Sequence, residues 1–306
     1  MRTMKIVAIV VTYNRLKKLK TCIEALQNFS QGSDILIVNN ASTDGTSEWL
    51  TSFECEERLN VLTLNRNIGG AGGFCEGVRW GVEHGYDRLW LMDDDCYVNS
   101  TSLSRLLNAD RLLCGDYGWL SSVALWTDGT PCLMNRQKAT RDFYPYAHLL
   151  SDTLLEARQA TFVSLFLTAK TVRAFGLPIK DFFIWGDDVE YTRRIAVRGR
   201  LRSFVVGAST VTHDMASNNG SSIATDDESR ISRYEYAYRN EGYLFRKEGI
   251  RGVIYFTAKC AYNMARIVIS HRNRMFLRLW TLMKSSIRGM LFNPRVELLP
   301  PNVKDL

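Results

Sequence analysis

Three consecutive carboxylates, Asp93, Asp94 and Asp95, are the residues of this chain best suited to do chemistry. They follow a short apolar stretch, residues 89–92, that predicts a buried strand. Adjacent carboxylates at a strand end repel one another unless a positive charge lies between them, and hard divalent cations prefer oxygen ligands. The triplet therefore suggests a Mg²⁺ or Mn²⁺ site of the kind that holds a diphosphate. The alternative is an acidic turn that caps a helix beginning near Ser100.

A glycine-rich stretch, residues 67–73 (Asn-Ile-Gly-Gly-Ala-Gly-Gly), follows the third predicted strand and precedes a predicted helix at 74–84. Glycines allow close backbone approach, and free N–H groups at a helix start suit an anion. The stretch is not a Walker loop, since no GK[ST] follows, and it does not follow the first strand as a dinucleotide GxGxxG does. A tight turn that packs the helix on the strand is the competing interpretation.

A second acidic cluster lies at residues 185–191 (Trp-Gly-Asp-Asp-Val-Glu-Tyr). Its acids suit the start of a predicted helix, where the helix dipole favours carboxylates. The flanking Trp and Tyr are typical platforms for sugar rings, and an ionised Asp beside them could act as a general base for a hydroxyl. Further along, His213 follows a predicted strand. A lone His is usually structural, but an imidazole can join carboxylates around Mn²⁺.

The elements that must position these residues alternate between strand and helix over the first hundred residues, which predicts a mainly parallel sheet. Four candidate loops, residues 12–15, 39–45, 65–73 and 93–95, each follow a predicted strand. Ligands of such sheets bind beyond the carboxyl ends of the strands, so we expect these loops to form one site. The predicted strands are 6–11, 34–38, 59–64, 88–92, 119–126, 160–168 and 204–211. The predicted helices are 16–29, 46–52, 74–84, 170–175 and 187–198, with a flexible loop at 216–228 and helices from 231 onward.

Composition places the chain among globular proteins, with 306 residues, 46% hydrophobic and 23% charged. Seven scattered cysteines without a CxxC pair fit reduced thiols in a cytosolic protein. The short apolar run at 6–11 ends in Thr-Tyr-Asn-Arg, which favours a strand over a signal peptide. No stretch approaches the roughly 20 uninterrupted apolar residues of a spanning helix.

The positive charge is concentrated in the tail. Residues 246–306 hold twelve Lys and Arg but three acids, which suggests an anionic surface as partner. One interpretation is a helix that packs on the rest of the protein with a solvated basic face, and another is a peripheral helix on anionic lipid. No recognised motif supports a nucleic-acid partner. The tail also carries an apolar stripe at helical spacing: Phe276, Trp280, Met283, Ile287 and Leu291.

Taken in order, five segments resemble the family 2 inverting glycosyltransferases of the GT-A fold: residues 10–15, 39–46, 65–73, 93–95 and 185–191. With His213, the last three are most similar to bacterial galactofuranosyltransferases, with rhamnose-transferring relatives close. The resemblance implies an α/β GT-A fold, Rossmann-like, with a mainly parallel sheet flanked by helices. It implies a catalytic domain over 1–228, with a nucleotide-sugar half to about 95 and an acceptor half over 96–228. A basic helical extension over 229–306 follows.

The resemblance also implies roles for individual residues. The donor-binding residues would be Thr12, Tyr13, Arg15, Asn39, Asn40, Arg66, Asn67, Gly69, Gly70, Gly72, Gly73 and Asp94. The metal ligands would be Asp93, Asp95 and His213, with Mn²⁺ or Mg²⁺ as cofactor. Asp188 would be the catalytic base, assisted by Asp187, and the acceptor would be ordered by Trp185, Asp187 and Glu190. Asn39 stands where the family usually has Asp, which adds a hydrogen-bond donor there.

The implied activity is metal-dependent, inverting transfer of galactofuranose from UDP-galactofuranose to a hydroxyl of a cell-surface glycan, such as O-antigen, capsule or cell-wall galactan. A polyprenyl-diphosphate-linked acceptor would place the protein on the cytoplasmic face of the inner membrane, with its C-terminal helices on anionic lipid. The alternatives are a rhamnosyltransferase using dTDP-rhamnose and a membrane-associated scaffold without catalysis. A nucleotidyltransferase would carry its glycine-rich loop after the first strand, where this chain has Thr-Tyr-Asn-Arg.

Overall fold

The first strand, β1 (Ile6–Thr12), is buried along its whole length and lies inside the sheet. Ile6, Ala8 and Val10 pack into one hydrophobic core, while Val7 and Ile9 pack into a second core on the opposite face. This alternation follows from the two-residue period of a strand. Helices cover both faces, and this explains why the sequence of the strand is continuously apolar rather than alternating.

The computed structural model describes residues 3–30, 32–53, 56–141 and 144–300. Cys55 and the last residues of the basic C-terminal extension, 301–306, lie outside these ranges. The strands after β1 are β2 (Asp34–Asn39), β3 (Leu59–Thr63), β4 (Arg88–Asp93), β5 (Cys96–Val98), β6 (Leu120–Leu125), β7 (Lys138–Ala139), β8 (Leu154–Gln159), β9 (Leu165–Thr168) and β10 (Phe204–His213). The helices are α1 (Leu16–Phe29), α2 (Thr46–Leu50), α3 (Gly69–Glu83), α4 (Ser102–Leu112), α5 (Ala169–Phe175), α6 (Asp187–Arg193), α7 (Arg233–Lys247), α8 (Ile250–Ser270) and α9 (Met275–Leu291).

The sheet runs in the order β3-β2-β1-β4-β9-β6-β10-β8-β7, with β5 paired to β10. Strands β3, β2, β1 and β4 are mutually parallel, and β9 enters antiparallel beside β4. The carboxyl ends of β1, β2 and β4 therefore meet at one edge. This α/β architecture of a largely parallel sheet between helices confirms the predicted fold class, including the helical C-terminal region.

The short strand β5 brings the end of β10 to this edge. It follows the Asp triplet and pairs antiparallel with β10, so that Cys96 lies opposite His213. A backbone hydrogen bond from the Asp214 N–H to the Asp95 carbonyl, 2.9 Å long, extends the pairing. The alternative interpretation of the triplet as a helix cap is wrong, because a turn and a strand separate it from α4.

Helix α3 begins at Gly69, five residues earlier than predicted, so the glycines form its first turns. A Cβ at Gly73 would lie 2.5 Å from Val11, and one at Gly77 would lie 2.6 Å from Ile9. The glycines therefore let α3 lie close to β1, which agrees with the competing interpretation of this stretch as helix-on-strand packing.

The last three helices, α7, α8 and α9, share a third hydrophobic core, to which Tyr238, Phe256 and Leu282 contribute. Ile223 and Ala224 from the predicted flexible loop are also buried there, so this part of the loop is packed. No helix within the described ranges combines the length and apolarity needed to cross a bilayer.

Candidate active site

A cleft of about 1080 Å³ opens at the carboxyl edge of the sheet. This volume is at the upper end of the range typical of ligand pockets. The cleft is lined by loops after β1, β4 and β10, by the segment before α6, and by residues of α7 and α8. The cleft is therefore built by both the predicted catalytic region and the C-terminal helices.

A candidate metal cluster lies at the cleft floor. Asp93, Asp95 and His213 each offer one ligand atom, and these three atoms lie within 4.8 Å of one another. Such a spacing allows all three to coordinate one cation at the usual metal–ligand distances of roughly 2.0–2.6 Å. The structure thus brings together the three residues that the resemblance implied as ligands.

The hydrogen bonds of His213 test whether this cluster fits a cation. Its Nδ1 lies 2.6 Å from Oδ1 of Asn135, and the Asn135 amide nitrogen donates to Thr161 over 3.1 Å. In this arrangement Nδ1 carries the hydrogen, and Nε2 faces Oδ1 of Asp95 at 3.0 Å. Two acceptors at that distance require a proton or a metal ion between them, so the donor set fits a divalent cation.

The carboxylates of the triplet are crowded. Burial, reinforced by neighbouring Asp95, raises the pKa of Asp93 to about 7. Burial likewise raises the pKa of Asp94 to about 6, against the opposing effect of Arg15. A nearby positive charge reverses such shifts, and a divalent cation would do so most strongly.

Two cations of the chain already neutralise part of this charge. Arg15 contacts Asp95 Oδ2 at 2.6 Å and Asp94 Oδ1 at 3.3 Å. Lys18 lies 3.5 Å from Asp95 Oδ2 and also donates to the carbonyl of Asp214. Thr12 holds the other oxygen of Asp94 by donating to Oδ2 over 2.7 Å. Arg15 is about half exposed, so it can also reach an anion in the cleft.

Asp187 and Asp188 also line the cleft. Burial raises the pKa of Asp188 to about 6. Burial raises the pKa of Asp187 well above its usual range, with the charge of Asp188 as a second cause. The Val189 N–H donates to Asp188 Oδ1 over 2.7 Å, which favours the ionised form of this carboxyl, as a general base requires.

The backbone before this pair is strained. Phe183 and Trp185 have positive φ angles of 64° and 63°, and Gly186 has 87°. The amide nitrogen of Asn240, on α7, lies 3.0 Å from the Phe182 carbonyl and 2.7 Å from the Trp185 carbonyl, and so holds the strained turn. Backbone strain of this kind persists only where surrounding contacts fix it.

A backbone hydrogen bond joins helix α3 to this strained turn. The carbonyl oxygen of Phe183 accepts a hydrogen bond from the Ala71 N–H over 3.1 Å. At the same helix start, the Gly69 N–H donates to Asn67, and the Ile68 N–H donates to Asn40. The expectation of free N–H groups for an anion is therefore wrong for these three amides, since each already has an acceptor.

Of the predicted donor and acceptor residues, several line the cleft: Thr12, Tyr13, Arg15, Asn40, Asn67, Gly69, Gly70, Asp94, Trp185, Asp187 and Asp188. Five others do not line it: Asn39, Arg66, Gly72, Gly73 and Glu190. The substrate contacts of both groups stay predictions.

Three of these residues have structural surroundings that explain their positions. Asn39 is buried and bonds Ser47 and the Ser42 N–H, which shapes the turn after β2. Glu190 is fully buried and accepts from Arg194 over 2.7 Å. Gly73 faces β1.

Sequence reasoning missed Asn135, Asn240 and Lys18. Each acts on a predicted site residue or on the backbone beside one: Asn135 on His213, Asn240 on the turn before Asp187, and Lys18 on Asp95. Only the position of Lys18, one helical turn after Thr12-Tyr13-Asn14-Arg15, could have suggested it. The two asparagines lie in no motif, so nothing in the sequence marks them.

The fold is that of the GT-A glycosyltransferases. Residues 7–111 match the family model described as "Glycosyl transferase family 2", which supports the class of glycosyltransferases for this chain. It is 28% identical to the galactofuranosyltransferase GlfT1 of Mycolicibacterium smegmatis over 269 residues, covering 81% of this chain and 85% of that protein.

Two further comparisons agree with this class. The chain is 37% identical to the undecaprenyl-phosphate mannosyltransferase of Micrococcus luteus over 109 residues, which cover 35% of this chain and less than half (45%) of that relative. Its fold is similar to the mannosyltransferase PcManGT from Pyrobaculum calidifontis, solved with GDP-Man and Mn²⁺. That likeness has a TM-score of 0.55 at 14% identity, and covers 94% of this chain and 86% of the other.

Proposed function

We propose that this protein is a metal-dependent, inverting galactofuranosyltransferase that uses UDP-galactofuranose and a glycan hydroxyl as acceptor. The observation that carries the proposal is a single cleft lined both by the cluster of Asp93, Asp95 and His213 and by Asp188. The similarity to GlfT1 over most of the chain supports the donor. The glycan would be an O-antigen, a capsule or a cell-wall galactan.

The chemistry follows from the charges. Asp188 takes the proton of the acceptor hydroxyl while that oxygen attacks the anomeric carbon of the donor. The bond from that carbon to the nucleoside diphosphate breaks in the same step, and one displacement inverts the configuration. Arg15 stabilises the charge that the leaving diphosphate gains. A Mn²⁺ or Mg²⁺ ion held by Asp93, Asp95 and His213 would supply further positive charge there.

The part of the cleft around Asp188 has the aromatic and acidic side chains typical of sugar-binding sites. Trp185 lines the cleft beside Asp187 and Asp188 and stacks edge-on with Tyr234, at 5.0 Å between ring centroids. Aromatic faces beside carboxylates are a common platform for sugar rings. We propose that a polyprenyl-diphosphate-linked glycan is the acceptor, which would place the enzyme on the cytoplasmic face of the inner membrane.

A donor panel tests the proposal. Purified protein is incubated with Mn²⁺ and UDP-galactofuranose, dTDP-rhamnose, UDP-GlcNAc or GDP-mannose, with a lipid-linked acceptor, and nucleoside diphosphate release is measured. We expect selective release from UDP-galactofuranose, its loss in EDTA, and an inverted linkage in the product by NMR. Selective release from dTDP-rhamnose would replace the sugar but keep the mechanism, and a retained configuration would reject inversion.

A matched pair of isosteric variants tests the base. Asp188→Asn should lower kcat by about 10²–10⁴-fold while the donor Kd stays unchanged. Asp187→Asn removes a carboxyl whose pKa burial raises well above its usual range, so we expect its kcat to fall less than tenfold. Equal losses in both variants would reject Asp188 as the base, and unchanged transfer in Asp188→Asn would favour a scaffold without catalysis.

A further inference from the structure

Helix α9 packs with its polar and small side chains inward and its large apolar side chains outward. The inward face consists of Arg278, Thr281, Leu282, Ser285 and Gly289, all buried. The apolar stripe noted in the sequence faces outward, with Phe276 80% and Leu291 79% exposed. Helix α9 thus packs on the rest of the protein, as one interpretation of the tail expected, but its apolar stripe is not the face that packs.

Two contacts explain the inverted orientation. The backbones of α7 and α9 lie so close that a Cβ on Gly289 would be 2.5 Å from the Arg239 carbonyl, so a large side chain does not fit there. Arg278 reaches inward to bond backbone carbonyls of Asn273, Ile223 and Asp226 at 2.6–2.9 Å. The guanidinium is thus satisfied by the fold and does not belong to the outer surface.

Helix α8 extends the exposed apolar surface. Ile250 and Ile269, at its two ends, are each 73% exposed, and Tyr262 in its middle is 63% exposed. Among the described residues, thirteen of the twenty-one large exposed hydrophobic side chains lie between 250 and 298. Soluble proteins rarely leave so much apolar surface together without a binding partner.

The charge of this surface selects the partner. Residues 250–291 contain no Asp or Glu, and five of their eight Lys and Arg are exposed: Arg251, Arg272, Arg274, Lys284 and Arg288. Arg251, Arg272 and Lys284 are exposed, and none has a carboxylate within ion-pair distance in the described part of the chain. A second copy of the same surface would bring these like charges together, whereas an anionic bilayer offers both apolar depth and negative charge.

From these observations we infer that the α8–α9 hairpin docks flat on an anionic lipid bilayer. Its outward apolar side chains enter the boundary between headgroups and acyl chains, and its exposed basic residues contact the headgroups. The inference deepens the proposed membrane location and rests on it for the role of docking in catalysis.

The side of α8 that does not face the bilayer lines the candidate active site, so docking would bring that site close to the lipid. Lys259, Asn263 and Arg266 project from α8 into the cleft, while Tyr262 between them faces outward. One helix, about 10–12 Å across, therefore separates the docked surface from the candidate active site. A lipid-linked acceptor could reach the cleft while its lipid stayed in the bilayer.

Vesicle flotation of the full chain tests the inference. We expect binding to vesicles of equal parts phosphatidylcholine and phosphatidylglycerol, and little binding to pure phosphatidylcholine. Trp280→Glu with Ile287→Glu should weaken binding at least tenfold. Arg272→Gln with Lys284→Gln should weaken it about 30-fold, because each basic residue near an anionic surface is worth about fivefold.

A matched control adds the same two charges elsewhere: Phe29→Glu with Leu112→Glu, which replace exposed apolar residues of α1 and α4. This control should bind vesicles like the unchanged protein. Near-UV circular dichroism and nucleoside diphosphate release from the donor without lipid report folding and the site separately, so failed docking is distinguishable from failed catalysis.

Three results would overturn the inference. The first is no binding of the unchanged protein to anionic vesicles, and the second is equal binding to neutral vesicles. The third is a dimer in lipid-free analytical ultracentrifugation that Trp280→Glu with Ile287→Glu abolishes, which would assign the surface to a second copy of the chain.

Discussion

The Nδ1 atom of His213 lies 2.6 Å from Oδ1 of Asn135, and both side chains are buried. This contact fixes the hydrogen on Nδ1 and leaves the lone pair of Nε2 directed at Asp95. Partners of this kind orient metal-binding histidines, and their loss typically costs 10–100-fold in metal affinity. Asn135 lies on no sequence motif, so its role rests on this geometry.

Asn135→Ala should therefore weaken Mn²⁺ binding by about 10–100-fold, measured as the Kd by electron paramagnetic resonance of the free ion. Asn135→Asp keeps an acceptor for Nδ1 and should restore most of the affinity. Asp95→Ala removes a proposed ligand and provides the comparison for a lost site. An unchanged Kd in Asn135→Ala, with a lowered one in Asp95→Ala, would contradict the role of Asn135.

The pH dependence of the transfer rate should report the ionisation of the Asp188 carboxyl. Burial raises the pKa of this carboxyl to about 6, and only the ionised form accepts a proton. Because the acid form predominates below that pKa, kcat should be on a plateau above about pH 7 and fall about tenfold per pH unit below about pH 6.

The profile is measured as kcat with saturating donor, acceptor and Mn²⁺, so that titration of the metal cluster affects it least. In Asp188→Asn the acidic limb should disappear from the small remaining rate. A limb that persists unchanged in this variant would assign the titration to another group.

Asn240 should influence kcat of transfer because it holds the strained turn that precedes Asp187 and Asp188. Asn240→Ala removes the hydrogen bonds to the carbonyls of Phe182 and Trp185, which releases the turn before Asp187 and Asp188. A misplaced base lowers kcat while donor binding is spared. We expect kcat to fall by about 10²-fold, with the donor Kd changed less than threefold.

Unfolding in urea distinguishes this effect from general destabilisation. Leu282→Ala, a buried large-to-small change on α9 outside the cleft, provides a matched control that should lower stability but leave kcat unchanged. If kcat falls in proportion to stability in both variants, Asn240 supports the fold and not the base.

Much of the nucleotide half could be predicted because its signals are local. The strand at 6–11 and the helix at 16–29 agree with β1 and α1 almost to the residue, since an apolar run and a 3.6-residue period each specify one element. The cluster of Asp93, Asp95 and His213 was reached through the resemblance, and the pairing of β5 with β10 explains why the chain assembles it.

The elements and residues that could not be predicted from the sequence were missed for physical reasons. Strand β8 was missed because charged Glu156 and Arg158 interrupt its apolar residues. Periodicity showed that α9 has an apolar stripe, but it does not say whether that stripe faces protein or solvent. The direction was decided by close backbone approach at Gly289, a tertiary contact. Asn135 and Asn240 were missed because single polar residues acquire their roles only from distant neighbours.

Gly69 and Gly70 provide a prediction in which neighbouring residues should behave differently. Gly69 has a φ of +78°, and a Cβ there would lie 2.1 Å from the carbonyl oxygen of Phe183, a backbone atom that cannot easily move. Gly70 also lines the cleft, but a Cβ there would meet nothing within 4 Å. Gly69→Ala should therefore push the turn that carries Phe183 away from α3.

We expect Gly69→Ala to lower kcat/KM by at least 10²-fold and to reduce the free energy of unfolding by about 1–3 kcal/mol through backbone strain. Gly70→Ala should change kcat/KM less than threefold and stabilise α3 slightly, since alanine favours helices. Donor kinetics and urea unfolding of both variants measure these effects. If Gly70→Ala is the more damaging change, the backbone at Gly70 must contact the donor directly, and the close approach of Gly69 to Phe183 would not be what limits this part of the cleft.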